Sequence, residues 1–377
     1  MSLASMIKIA LYVFTWLCLA IYSYGFLDFN LTLSSSPTFL NFVSPLQQLV
    51  YFDRPLSSKI FSTLMIFLFV GYLAALRYHA KYNLSKFPWR FVIIVLLIAT
   101  FSYPMLSYDV FNYMFHGKIL WLYQMNPHVH APLEFSGDLW LRFMRWVHTP
   151  SAYGPVFTAI ESPAYLLGLG KFVPVLYLMK ITMTLFFVWC IHLIGDIAHE
   201  IGFKKDKIIT TQLLIALNPF LIMDTVVNGH NDAVMMALFL VALYYSIKSR
   251  VGTSLLALIA SIGTKFMTIL TLPLYFIKSP RNKILFSFLV LLIPVIVSLG
   301  RFQPWYLVWA IIPAVLTGYQ VVKNWVILAS LAGAIFYYPY VATGFWVNSL
   351  PFVAAIVYLP ILISLIYAKR HTLVYNG

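Results

Sequence analysis

Long apolar runs separated by short polar segments organise this chain, and they fall at about 6–26, 60–78, 91–106, 172–195, 208–226, 232–247, 252–277, 284–299, 303–319, 322–340 and 348–368. Most approach the roughly 20 residues that a helix needs to cross a bilayer. The runs are continuous, whereas barrel strands would be shorter and would alternate apolar with polar positions. The pattern therefore predicts helices. Basic clusters lie between the runs: Arg77/Lys81/Lys86/Arg90, Lys204/Lys205/Lys207, Lys248/Arg250, Lys278/Arg281/Lys283 and Lys369/Arg370. Short basic loops stay on the cytoplasmic side, so each cluster fixes a phase for counting crossings.

Two segments need separate treatment. The 252–277 run has basic clusters at both ends and Gly263-Thr264-Lys265 in its middle. It reads as two short helices turning at Lys265, because irregular backbone is tolerated at membrane depth where it lines a protein cavity. Residues 152–170 are apolar but interrupted by Pro155, Glu161 and Pro163. They read as a re-entrant or interfacial helix on the outer face. The count is then about twelve crossings (range roughly 10–13), with both termini cytoplasmic and all basic clusters on one side. The first run, preceded by Lys8, is long and lacks a small-x-small cleavage site, so it reads as an uncleaved anchor. The outer face receives 27–58, 107–171, 227–232, Lys265, 299–305 and 341–348, and within it 110–123 reads as an amphipathic helix lying on the membrane. The fold class is an all-α polytopic membrane protein. It forms one domain over 1–377, with 107–171 as its large outer loop.

Composition agrees. Of 377 residues, 62% are hydrophobic and 10% charged, and the mean hydropathy of +0.86 exceeds what a soluble domain can hide. The formal charge is +14, from 25 Lys and Arg against 11 Asp and Glu. In a soluble protein that excess would point to nucleic acid. Here it sits in short loops, where the positive-inside pattern accounts for it, and nucleic acid is not expected as a partner. Cys18 and Cys190 lie in separate apolar runs and form neither a disulfide framework nor a metal spacing.

With so few acids, each one at a membrane boundary raises a functional question. Ser107-Tyr108-Asp109 ends the third run, followed by Asn112 and His116. Asp109 could cap the next helix, or act as a general base that takes a proton from an acceptor hydroxyl. The spacing 109, 112, 116 puts the three polar residues on one helix face. A second constellation is Asn218-Pro219, Asp224 and Asn228-Gly-His-Asn-Asp232. Asn228, His230, Asn231 and Asp232 form either a polar turn with a cap or hydrogen-bond partners for sugar hydroxyls, and His230 could hold phosphate or shuttle a proton. Asp224 is an intramembrane carboxylate and so a functional candidate. A third group is cationic and aromatic. Lys265 and Arg301 either snorkel to the interface or meet a lipid phosphate. Trp305 and Tyr306, in Arg301-Phe-Gln-Pro-Trp-Tyr306 with Gln303, either stack on a sugar or belong to the aromatic belt. No Gly-rich nucleotide loop, Walker motif, metal cluster or Ser-His-Asp order stands out. A glycosyltransferase on this face would need a sugar donor already anchored in the membrane.

Tyr-Asp-Val-Phe-Asn-Tyr (108–113), Gly117-Lys118, Asn126-Pro127, His148-Thr-Pro-Ser-Ala-Tyr-Gly-Pro155, Asn218-Pro219, Gly229-His-Asn-Asp232 and Gln303-Pro-Trp-Tyr306 occur in that order. This series resembles the polyprenyl-phosphate-mannose-dependent α-mannosyltransferases of the GT-C superfamily, in particular the actinobacterial α-1,6-mannosyltransferases of lipoglycan assembly. The resemblance implies a GT-C transmembrane domain and inverting transfer of a sugar, mannose being the leading choice. The donor would be a polyprenyl-phosphate sugar and the acceptor a glycolipid or glycan hydroxyl on the outer face of a prokaryotic plasma membrane. It assigns Asp109 as the base and Tyr153-Gly154-Pro155 to the substrate entrance. It also places Lys265 and Arg301 near the lipid phosphate. Some relatives use a divalent cation, and the metal question stays open. The chain departs from that pattern in its shorter length and in His116 and His128-Val-His130. A transporter or flippase is the alternative, since many crossings and buried charges also suit carriers. Against it stand the absence of an inverted repeat and the collection of polar motifs on one face.

Overall fold

The computed structural model describes the backbone of residues 3–375 and the side chains of residues 10–368. Lys8, Lys369 and Arg370 lie outside the described side chains. Among the described residues there are helices and turns but no strand. The first half runs α1 (Leu3–Ser23), α2 (Pro37–Gln47), α3 (Arg54–Tyr82), α4 (Trp89–Thr100), α5 (Asp109–Trp121), α6 (Pro155–Glu161), α7 (Pro163–Leu167) and α8 (Phe172–Glu200). The second runs α9 (Lys205–Ala216), α10 (Pro219–Leu221), α11 (Asp232–Ile247), α12 (Val251–Ile262), α13 (Pro280–Val297), α14 (Tyr306–Ala314), α15 (Gln320–Phe336), α16 (Tyr338–Thr343) and α17 (Leu350–Tyr375). Extensive helix packing joins α8 to α9 and α11, α11 to α12, and α15 to α17.

Five described stretches are long and apolar enough to cross a membrane: Arg54–Tyr82, Phe172–Glu200, Pro280–Val297, Gln320–Thr343 and Leu350–Ala368. Lys205–Ala216 and Pro219–Val227 make a sixth if taken together across a 44° bend. The protein is therefore a polytopic membrane protein, but these lengths do not reach the expected twelve crossings. Prolines and glycines cut several apolar runs into shorter helices. Pro219 cannot donate to the α9 ladder, and Asn218 Oδ1 restarts the chain by accepting from Phe220 N at 3.1 Å and Leu221 N at 3.3 Å. The next turns, Ile222–Val227, are π-helical. At Gly263-Thr264-Lys265 the 252–277 run divides into α12 and a 3₁₀ segment, Phe266–Phe276. Outer helix surfaces carry exposed Phe14, Ile66, Leu185, Leu256 and Leu289, as a lipid solvent requires.

Two features differ from the sequence expectation. The 110–123 helix is not an amphipathic helix lying on the membrane. In α5 every residue from Asp109 to Gly117 is buried, covered by α6, α7, α8 and the turns 132–135 and 139–143. Its polar face is turned into the protein because partners for those polar groups exist there and not in lipid. The second, on which the sequence reading was silent, is Lys180, in the first third of α8 and fully buried. Its ammonium donates to Ser102 O and, at 3.4 Å, to Ala99 O, so it satisfies carbonyls at the end of α4.

Candidate active site

The site begins where α5 begins. Ser107 Oγ accepts from Asp109 N at 3.3 Å, and the N-cap residue Tyr108 makes no side-chain cap. Asp109 is thus not the cap, and its carboxylate is free to turn toward the loop. It accepts from Trp146 Nε1 at 3.1 Å and from the Tyr153 hydroxyl at 3.2 Å. Asn112 fixes the tryptophan by donating to Trp146 O at 2.9 Å. Asp109, Asn112 and His116 all line a cavity of about 210 Å³, together with Trp146, Tyr153 and Trp305. Burial and the neighbouring Asp109 carboxylate push the Tyr153 phenol well above its ordinary value, which keeps it a donor.

Tyr153 is placed by a backbone contact. Gly154 N donates to Thr264 O and Val156 N to Gly263 O, both at 3.0 Å. A Cβ at position 154 would stand 2.1 Å from Gly263 O, so the close approach requires glycine. Lys265 follows directly. Its ammonium lies 5.9 Å from the Tyr153 ring centre, 6.0 Å from Trp305 and 5.4 Å from Trp309. It is held by a carboxylate, with Nζ 2.9 and 3.1 Å from the two oxygens of Asp232. Trp309 Nε1 donates to the same carboxylate. Asp232 therefore supplies a counter-charge to the partly buried Lys265, for which the sequence reading had offered a lipid phosphate.

The 228–232 turn lies behind Trp305 and does not itself line the cavity. Asn228 Oδ1 accepts from Leu106 N at 3.1 Å. His230 Nδ1 is 3.2 Å from Asp224 Oδ2, and its ring centre is 4.7 Å from that of Trp305. Asp224 also accepts from the Tyr337 hydroxyl at 2.7 Å. Among the described residues, eleven buried side-chain polar atoms have no hydrogen-bond partner: two, Asn112 Oδ1 and His116 Nδ1, belong to residues lining the cavity, and six more belong to Glu161 (both oxygens), Asn228 (Nδ2), His230 (Nε2) and Asn231 (both amide atoms) nearby. Each such atom costs about 1–3 kcal/mol, so their concentration marks a place that a ligand or water completes.

Other candidates do not converge. Tyr108 faces away, with the Arg145 guanidinium 4.7 Å from its ring centre. Tyr306 stacks on Trp309 at 4.4 Å, and Gln303 accepts the Tyr306 N–H at its backbone oxygen at 3.0 Å. Arg301 is exposed and does not line the cavity. Asn218 serves as a helix cap and donates to Ser330 Oγ at 2.7 Å. Sequence reasoning missed Trp146, Trp309, Tyr337 and Lys180. Lys180 carried a readable signal, a lone cation inside an apolar run. For the three aromatics there was none. Among the described residues no three His, Cys, Asp or Glu side chains are placed to share a metal ion. Asp224 and Asp232 face His230 and Lys265 instead, so these donors do not fit the divalent cation used by some relatives.

A carboxylate, an amide and aromatic rings around one small cavity are groups with which a membrane glycosyltransferase could hold a sugar. Residues 15–279 match the model of the alpha-(1->6)-mannopyranosyltransferase N-terminal domain, and the chain belongs to that family. The match includes Asp109, Tyr153, the 228–232 turn and Lys265, and it ends before Trp305. No curated protein and no solved structure matched the chain.

Proposed function

We propose that this mannosyltransferase moves mannose from a polyprenyl-phosphate donor to a hydroxyl of a glycolipid or glycan acceptor. Transfer occurs on the outer face of the membrane, with inversion at the anomeric carbon, and Asp109 is the general base. The observation that carries this reading is the state of Asp109. It faces the cavity, its ligands are the neutral donors Trp146 and Tyr153, and no ion pair occupies it. A carboxylate so held keeps a lone pair for an incoming hydroxyl proton. The aromatic walls of Trp146, Tyr153 and Trp305 suit the apolar face of a sugar ring, and Asn112 suits its hydroxyls. The absence of a nucleotide-binding motif supports a lipid-linked donor, and the short apolar helices are read as further crossings toward about twelve, with both termini cytoplasmic.

The test is transfer of label from radiolabelled polyprenyl-phosphate sugars into a membrane glycolipid extract by the purified protein. Mannose from the polyprenyl-phosphate donor is expected to move, and Asp109→Asn is expected to abolish transfer while the protein stays folded. Transfer that survives in Asp109→Asn sinks the base assignment.

A further inference from the structure

Glu161 is a carboxylate that the reading above does not use. It ends α6, is fully buried, and neither of its oxygens has a hydrogen-bond partner. The basic group facing it is His116, whose Nδ1 lies 3.4 Å from Glu161 Oε1. An orphaned buried carboxylate is costly to keep, and apolar packing would be cheaper. The approach is nevertheless built into the fold. A Cβ on Gly117 would stand 3.3 Å from Tyr165 Cβ and 3.4 Å from Ser162 Cα, so glycine beside His116 lets α5 lie close against the chain that carries Glu161.

The imidazole geometry assigns the rest. With Nδ1 turned to Glu161, Nε2 is the nitrogen left for the cavity that His116 lines. Asp109 lines the same cavity seven residues earlier, and seven residues rise about 10 Å along a helix. Inverting glycosidases space their acid and base carboxyls by roughly 6.5–9.5 Å to admit a water, a spacing of the same order as this backbone rise. The other titratable group against this pair is His128, whose Nε2 is 3.0 Å from Thr158 Oγ1, one turn before Glu161. Burial and then the neighbouring His116 lower its proton affinity.

Resting on the transfer reaction proposed above, we propose that Glu161 is a positioning residue that holds a proton on His116, and that His116 gives it to the departing phosphate. The acceptor oxygen bonds to the anomeric carbon as the bond from that carbon to the phosphate oxygen breaks, its electron pair staying on the oxygen. The acceptor proton passes to Asp109, and the Nε2 proton of His116 passes to the phosphate. Water then takes a proton from Asp109 and returns one to His116. Base and acid thus stand on one face of α5, two turns apart.

The experiment measures the pH dependence of kcat with a polyprenyl-phosphate mannose donor, for wild type, His116→Asn and Glu161→Gln. Wild type is expected to lose rate on the alkaline side, where the proposed acid no longer has a proton to give. His116→Asn is expected to lower kcat by about 10²-fold with little change in donor KM. Glu161→Gln is expected to move the alkaline limb toward lower pH, which a purely structural role would not do. A wild-type profile without an alkaline limb overturns the assignment without recourse to any variant. So does a pair of folded variants that keep the wild-type rate and profile. If wild type moves no sugar from any such donor, the reaction assignment fails instead, and the two failures are told apart.

Discussion

Asp109 and Asp232 open helices α5 and α11, lie near the same cavity and are both buried, yet they are treated in opposite ways. Asp232 is sealed by the Lys265 ammonium and by Trp309. Asp109 receives only neutral donors and faces open space. A carboxylate paired with a buried cation is part of the frame, because neither charge can leave without stranding the other. A carboxylate held by a phenol and an indole is oriented without being neutralised. The difference separates holding from doing: Asp232 fixes the broken segment at Lys265, and Asp109 is left available to take a proton.

The sharpest way to break this comparison is to neutralise each acid in turn. Asp109→Asn is expected to lower transfer by about 10²–10⁴-fold with little change in thermal stability, read by radiolabel assay and by melting in detergent. Asp232→Asn should do the reverse first and cost up to about 3–5 kcal/mol of stability, because the partly buried Lys265 then lacks a counter-charge. Pairing it with Lys265→Met is expected to recover much of that loss. A double variant no more stable than Asp232→Asn would show that the ion pair is not what Asp232 contributes. Gly154→Ala should cost about 1–3 kcal/mol by overpacking against Gly263 O, and lower activity by displacing Tyr153. Tyr153→Phe removes one hydrogen bond to a carboxylate, worth about 1.5–3 kcal/mol, and is expected to reduce kcat by roughly 10- to 100-fold while leaving the fold intact.

The smallest effect concerns a third carboxylate. Burial raises the proton affinity of Glu161, with His116 and Thr158 pulling the other way. The folded state therefore holds that proton more tightly than the unfolded chain. The stability this confers is fully present below the ordinary glutamate range, about pH 4.3, and is lost as pH rises through the folded-state value. Glu161→Gln, a mimic of the protonated form, is expected to melt slightly higher than wild type at neutral pH. The gap should close as the pH falls toward 4, about where the unfolded chain titrates. Equal melting at both pH values would remove the cost assigned to this buried acid.

Much of the scaffold could be read from the apolar runs, and the break at Gly263-Thr264-Lys265 from the small and charged residues inside one of them. Asp109 was legible too, as a rare acid at the end of such a run. Its environment was not. Trp146 lies 37 residues away in the loop and Tyr153 44 residues away, and no periodicity links them to α5. Lys265 was noticed as a cation inside an apolar run, but its carboxylate partner Asp232, 33 positions distant, was not legible. The 110–123 segment was placed on the membrane because its pattern is amphipathic, and only tertiary packing decides whether a polar face meets water or protein. The spacing of 109, 112 and 116 held because it is local.

One earlier detail bears on how such a chain is made. Lys180 lies in the first third of α8, and a lysine inside an isolated apolar helix is costly at membrane insertion, up to about 2.5–3.5 kcal/mol at the helix centre. The carbonyls that receive it, Ala99 O and Ser102 O, belong to chain translated some eighty residues earlier. When α8 leaves the ribosome, its acceptor has already been made. Synthesis from the N-terminus thus supplies the lock before the key, and a circular permutation that reversed the order of α4 and α8 would leave that lysine facing lipid during biogenesis.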